Sequence, residues 1–177
     1  MKNIFLTGNL HIGKSSAINI FLNSFQGTIG GFNTFRVTQD GKVIGFSMRD
    51  INVSEVHISA YIAKQTEKGS WIPVLDTFND IGVDILKKAL ADKVDIIIMD
   101  ELGFFEENAH PFQRAVYECL SSEIPVLGVI KKVPSGFLNQ LRERNDIQIL
   151  EITKENRDEI TNKISELLGC RRYVCME

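Results

Sequence analysis

Residues 8–15 read GNLHIGKS, which fills every fixed position of the GxxxxGK[ST] phosphate-binding pattern. Gly8 and Gly13 permit close backbone approach, and the N–H groups of the stretch Gly8, Asn9, Leu10, His11, Ile12, Gly13, Lys14, Ser15 and Ser16 can converge on phosphate oxygens. Lys14 adds a mobile ammonium suited to β- and γ-phosphates, and Ser15 offers a hydroxyl to Mg²⁺. This combination predicts binding of a nucleoside triphosphate. His11 has three readings: it could touch phosphate, cap the loop or be solvated. We adopt the last, because a lone imidazole near an anion site is not yet a catalyst.

A second group of polar residues closes an apolar run. Asp95-Ile96-Ile97-Ile98-Met99-Asp100-Glu101 places two adjacent acids at the end of a buried strand and resembles a Walker B element. Asp100 is expected to hold Mg²⁺ with Ser15, mostly through water, since a small hard cation takes carboxylate, hydroxyl and phosphate oxygens and keeps part of its hydration shell. Glu101 is expected to orient or deprotonate an attacking water. A charged strand end at the surface is the bland alternative; the intact phosphate loop favours the chemical one.

Positioning these groups needs a strand before the loop and a helix after it. Asn3-Ile4-Phe5-Leu6-Thr7 reads as the strand, and Ile18, Phe21, Leu22 and Phe25 recur at helical spacing. Two β-like runs, 33–38 and 42–49, flank Gln39-Asp40-Gly41 and predict an antiparallel hairpin. Residues 50–70 alternate only weakly and read as an excursion or lid. A strand is predicted over 71–75, followed by a helix capped by Asn79 or Asp80 with Ile81, Ile85, Leu86, Ala89 and Leu90 on its apolar face. Strands over 94–99, 125–130 and 147–152 alternate with helices begun by Pro111, spanning 134–144, and carrying Ile160, Ile164, Leu167 and Leu168. Such alternation predicts a parallel sheet covered by helices, with ligands at the carboxyl ends of its strands.

At 177 residues the chain suits one domain, and no internal repeat or linker interrupts it. A net charge of −3 gives no global field for nucleic acid, and Lys131-Lys132, Arg142 with Arg144, and Arg171-Arg172 are small separate groups. Cys119, Cys170 and Cys175 are odd in number and suggest reduced thiols in the cytoplasm rather than a disulfide framework or zinc site. The first apolar run is too short for a signal peptide, and no stretch approaches a membrane span. A monomer is expected.

Further segments make the reading specific. The phosphate loop, Gly31-Phe32-Asn33-Thr34, Gly45-Phe46, Asp100-Glu101-Leu102-Gly103 with Glu106, Leu141-Arg142-Glu143-Arg144-Asn145 and Thr153-Lys154-Glu155-Asn156-Arg157 occur in one order along nearly the whole chain. Together they resemble the small nucleoside-triphosphatase family that includes the vertebrate cancer-related NTPase. The resemblance implies a RecA-like P-loop fold, a mostly parallel sheet flanked by helices with an added antiparallel hairpin. It also implies slow Mg²⁺-dependent hydrolysis of ATP, GTP and other nucleoside triphosphates, with Lys14, Glu101 and Arg157 as catalytic residues. Gly103, Thr153 and Asn156 join the nucleotide-binding set. Arg142, Arg144 and Arg157 are candidates to neutralise phosphoryl charge, with surface solvation the commoner fate of the first two. Thr153 and Asn156 could equally cap a helix.

Four positions depart from the family pattern. His11 replaces a usual glycine, Arg36 and Thr38 fall within Arg36-Val37-Thr38 where Glu-Val-Arg is usual, and Phe104 stands where a lysine is usual. Two other functions share the phosphate loop: a small-molecule or nucleoside kinase, and a nucleotide-dependent switch. Glu101 beside Asp100 favours water as the acceptor.

Overall fold

The computed structural model describes residues 3–53 and 60–169. Cys170, Cys175 and Arg171-Arg172 lie outside them. Among the described residues eight strands form one sheet, numbered along the chain β1 (Asn3–Gly8), β2 (Ile29–Gln39), β3 (Lys42–Asp50), β4 (Tyr61–Gln65), β5 (Trp71–Pro73), β6 (Ile96–Leu102), β7 (Val126–Ile130) and β8 (Ile147–Ile152), in the spatial order β5-β4-β3-β2-β6-β7-β1-β8. Its parallel part comprises β2, β6, β7, β1 and β8.

The central strands β1, β6 and β7 are apolar on both faces because both are covered. Phe5, Ile97, Met99, Val126 and Ile130 pack into one core with α3 (Val83–Ala91), α4 (His110–Ser121) and α5 (Gly136–Arg142). Their strand neighbours Ile4, Leu6, Ile96, Ile98, Leu127 and Val129 pack into a second core with α1 (Lys14–Ser24) and α6 (Ile160–Leu167). The two-residue side-chain period of each strand thus divides one sequence run between two cores. Phe112, Ala115, Val116, Cys119 and Leu120 form the buried stripe of α4, whose first turn holds Pro111 as expected. Cys119 lies in this core, and burial pushes its thiol up to about 12. Among the described residues no helix is long and apolar enough to cross a membrane.

The antiparallel part exceeds the expected hairpin. β2 pairs with β3 (Lys42–Asp50) around Asp40 and Gly41, which both have positive φ, and β4 (Tyr61–Gln65) and β5 (Trp71–Pro73) continue outward. Residues 61–65, read from sequence within an excursion, are therefore a sheet strand; Ile62 and Ala63 enter the core, whereas 54–59 lie outside the described residues. The helix after β5 also starts earlier than its sequence suggested. Leu75 already begins α2 (Leu75–Thr77), and a π turn over Phe78–Gly82 joins it to α3. Asn79 and Asp80 lie inside that turn and do not cap a helix. The wider turn aims Phe78 at Phe112, with ring centroids 5.2 Å apart. An interior anchored by these rings outweighs the local capping preference of Asn and Asp.

Gly31 sets the approach of β2 to β6. Its φ is +105°, and a Cβ there would stand 2.0 Å from the Ile98 carbonyl oxygen. Gly31→Ala is expected to cost on the order of 3–5 kcal/mol, because backbone strain and collision act together. Urea denaturation measures this; a loss below about 1 kcal/mol would show that the sheet yields at this point.

Candidate active site

Both chemical segments emerge at the same edge of the sheet because β1 and β6 run parallel, with β7 between them. At the end of β1, α1 begins at Lys14, and the preceding Gly13 brings no side-chain cap. The first helical N–H groups thus face outward with the positive end of the helix dipole, which suits an anion. Lys14 Nζ donates to the carbonyl oxygens of Gly8 at 3.2 Å and Asn9 at 2.9 Å, so the ammonium rests on its own loop.

Ser15 and Asp100 meet across the sheet edge: the Ser15 hydroxyl donates to Asp100 Oδ1 at 3.1 Å. Burial raises the Asp100 carboxyl to about 6, against the lowering effects of the Ser15 hydrogen bond and the Lys14 charge. An oxygen-only pair made of a hydroxyl and a desolvated carboxylate fits Mg²⁺, which would restore charge balance and take its remaining ligands from phosphate and water. Glu101 follows across a cis peptide bond, and its backbone N–H donates to Thr34 Oγ1 at 3.3 Å. Its carboxylate faces Lys131, with Nζ to Oε1 at 2.8 Å.

These groups line a cleft of about 650 Å³. Leu10, His11, Gly13, Lys14, Ser15, Ser16, Asp100 and Glu101 are brought together there, joined by Thr34, Phe35, Arg36, Phe46 and Lys131. Gly8, Asn9 and Ile12 build the loop itself: two supply carbonyls to Lys14, and the Ile12 N–H donates to Asn9 O at 3.4 Å. His11 has φ 61° and its Nε2 lies 3.2 Å from an Arg36 guanidinium nitrogen, so it is contacted across the cleft rather than simply solvated.

The remaining sequence-derived residues sit apart from the lining. Gly103 donates its N–H to Glu106 Oε1. Asn156 accepts from the Thr153 N–H at 2.8 Å and donates to the Glu151 carbonyl at 2.9 Å, which folds the connection after β8; Gly8 pairs with Ile152 immediately beside it. Arg157 is exposed and pairs with Asp158 at 3.5 Å. Arg142 donates to the carbonyls of Lys131 and Val133, and Arg144 pairs with Asp146, so both guanidiniums brace the fold. Lys131 is the main cleft residue without a role in the sequence reading, which grouped it with Lys132 as one of several small separate basic groups. Its signal was positional, since it directly follows a buried strand that ends at the same edge as β1 and β6.

A parallel sheet with a phosphate loop ending one strand and an acidic pair ending another defines a P-loop α/β protein of the RecA-like kind. The family model described as NTPase matches residues 3–165, and the chain belongs to that family. It is 31% identical over 170 residues to Nucleoside-triphosphatase THEP1 of Thermotoga sp. strain RQ2, covering 96% of this chain and 97% of the relative. It is 28% identical over 187 residues to the Cancer-related nucleoside-triphosphatase homolog of Mus musculus, covering 97% and 98%. The crystal structure of THEP1 from Aquifex aeolicus superimposes with a TM-score of 0.75 at 22% identity, covering 94% of this chain and 98% of that one, and shares the fold.

Beneath the cleft, Glu106 is fully enclosed, and desolvation lifts its carboxyl from 4.5 to about 7. The native state therefore keeps a proton that the unfolded chain releases near its ordinary value, and stability falls as pH rises through this window. Glu106→Gln removes this dependence. Relative to wild type, the variant is expected to gain about 2 kcal/mol between about pH 5 and pH 8 in urea denaturation. Parallel wild-type and variant pH profiles would contradict this assignment.

Proposed function

We infer that this chain hydrolyses nucleoside 5'-triphosphates, ATP and GTP among them, to diphosphate and phosphate, in a Mg²⁺-dependent reaction within a single P-loop domain. The observation that carries this reading is the Ser15–Asp100 hydrogen bond, which brings the phosphate loop and the acidic strand end into one cleft with Glu101. The relatives named nucleoside-triphosphatases support the reaction class. Three cysteines, an odd number, support a reducing cytoplasmic setting.

The loop N–H groups from Gly8 to Ser16 seat the β- and γ-phosphates, and Lys14 exchanges its two loop carbonyls for phosphate oxygens, a stronger charge-assisted contact. Ser15 and Asp100 would hold Mg²⁺, which when bound neutralises phosphate charge. Glu101 orients a water and takes its proton as the water oxygen bonds to the γ-phosphorus. The bond from that phosphorus to the bridging oxygen breaks, and its electron pair leaves with the diphosphate. Thr153 and Asn156, beside the start of the loop, would border the base. Arg157 would supply charge to the transferring group by swinging in from its exposed position.

Glu101→Gln keeps the shape and loses the basicity. Affinity for ATP with Mg²⁺ is expected to persist while single-turnover phosphate release falls on the order of 10²- to 10⁴-fold. The assay uses a panel of nucleoside triphosphates with no added acceptor. Near-wild-type release would remove Glu101 from the chemistry; a wild type that releases no free phosphate, but forms diphosphate and phosphorylated acceptor when an acceptor hydroxyl is added, would be a kinase.

A further inference from the structure

Arg36 and Lys131 line the cleft without a part in the reaction above, and the fold builds a seat for Lys131. Its backbone N–H donates to the Leu102 carbonyl at 2.9 Å, which ties the end of β7 to the end of β6. Its stem runs over Gly103, where an added Cβ would meet Lys131 Cδ at 3.0 Å. Its ammonium lies 5.5, 5.7 and 5.9 Å from the ring centroids of Phe46, Phe105 and Phe104. The rings favour a cation through their quadrupoles while accepting none of its three donors in an ordinary hydrogen bond. Glu101 Oε1 accepts one of those donors, and the two side chains are 24% and 25% exposed, so the pair remains open to the cleft.

We propose that Lys131 is a substrate-contacting residue that exchanges Glu101 for the γ-phosphate when a triphosphate enters. The proposal rests on the triphosphatase reading and adds a device to it. In the ion pair Lys131 competes with a water for the same Glu101 oxygen, so its withdrawal leaves that oxygen to the water when substrate arrives. A partly exposed pair contributes little by itself, whereas a γ-phosphate offers a more highly charged acceptor to the same ammonium. A diphosphate offers no such group. Bound substrate therefore frees Glu101 for water, and bound product returns Lys131 to Glu101.

The test is calorimetric binding of ADP and of the β,γ-imido analogue of ATP, each with Mg²⁺, to wild type, Lys131→Met, Lys131→Arg and Gly103→Ala. Lys131→Met is expected to lose roughly 10- to 100-fold of the preference for the triphosphate, the range for a charge-assisted hydrogen bond, with ADP affinity unchanged as the control for folding. Lys131→Arg restores part of that preference. Gly103→Ala, which crowds the stem and keeps the charge, shifts it in the same direction as Lys131→Met. An unchanged preference in Lys131→Met, or equal losses for ADP and analogue, overturns the proposal. Wild-type phosphate release in the same preparations separates the two readings. Lys131-dependent preference without hydrolysis sinks the hydrolase alone; hydrolysis without that preference sinks this proposal alone.

Discussion

One hydrogen bond states the constraint on which the site depends: the Ser15 hydroxyl reaches Asp100 from 85 positions away in the chain. It can form only because β1, β7 and β6 are parallel and in register, with Asn3 opposite Val126 and Ile97 opposite that same residue. Burial of Asp100 raises the energy of its charged form, and the same burial makes it a stronger partner for a cation. The core therefore does more than support the cleft. It sets how badly the site lacks positive charge.

The cleft is organised as a balance among a small number of charges. Lys14 rests on carbonyls, Lys131 on a carboxylate and three rings, and Arg36 against His11. Lys14 and Lys131 are held by partners that carry less charge than a triphosphate, as their proposed exchange requires. Glu106, enclosed and close enough to Lys131 for its charge to be felt, adds a carboxyl that burial raises to about 7. Desolvation thus raises two acids of this region, Asp100 in the cleft and Glu106 away from its lining.

Much of this was legible in the sequence where period and position agree. The loop, the strands β1, β6, β7 and β8 and the stripe of α4 follow from residue spacing, since a buried strand and a helix buried on one face leave different apolar patterns, whereas the half of β2 that pairs with β6, residues 29–33, starts ahead of the run read from sequence. Residues 61–65 were not legible, because β4 is stabilised by pairing with β3 and β5 rather than by its own alternation. The start of α2 was hidden by Trp71 to Leu75, a run apolar enough for a strand throughout, until Phe78 turns inward on Phe112. Phe104 reads in sequence as a lost charge; in space Lys131 stands 5.9 Å from its ring, and the cation comes from the neighbouring strand. No linear spacing relates positions brought together by sheet order.

On the proposed function, the phosphate loop and the end of β6 form one site for a metal-bound triphosphate. A crystal structure with a non-hydrolysable ATP analogue and Mg²⁺ tests it most directly. The β- and γ-phosphates are expected on the loop N–H groups and Lys14, with the ion at Ser15 Oγ and Asp100 directly or through water. A nucleotide seated away from the loop, or an ion held without either residue, would contradict it.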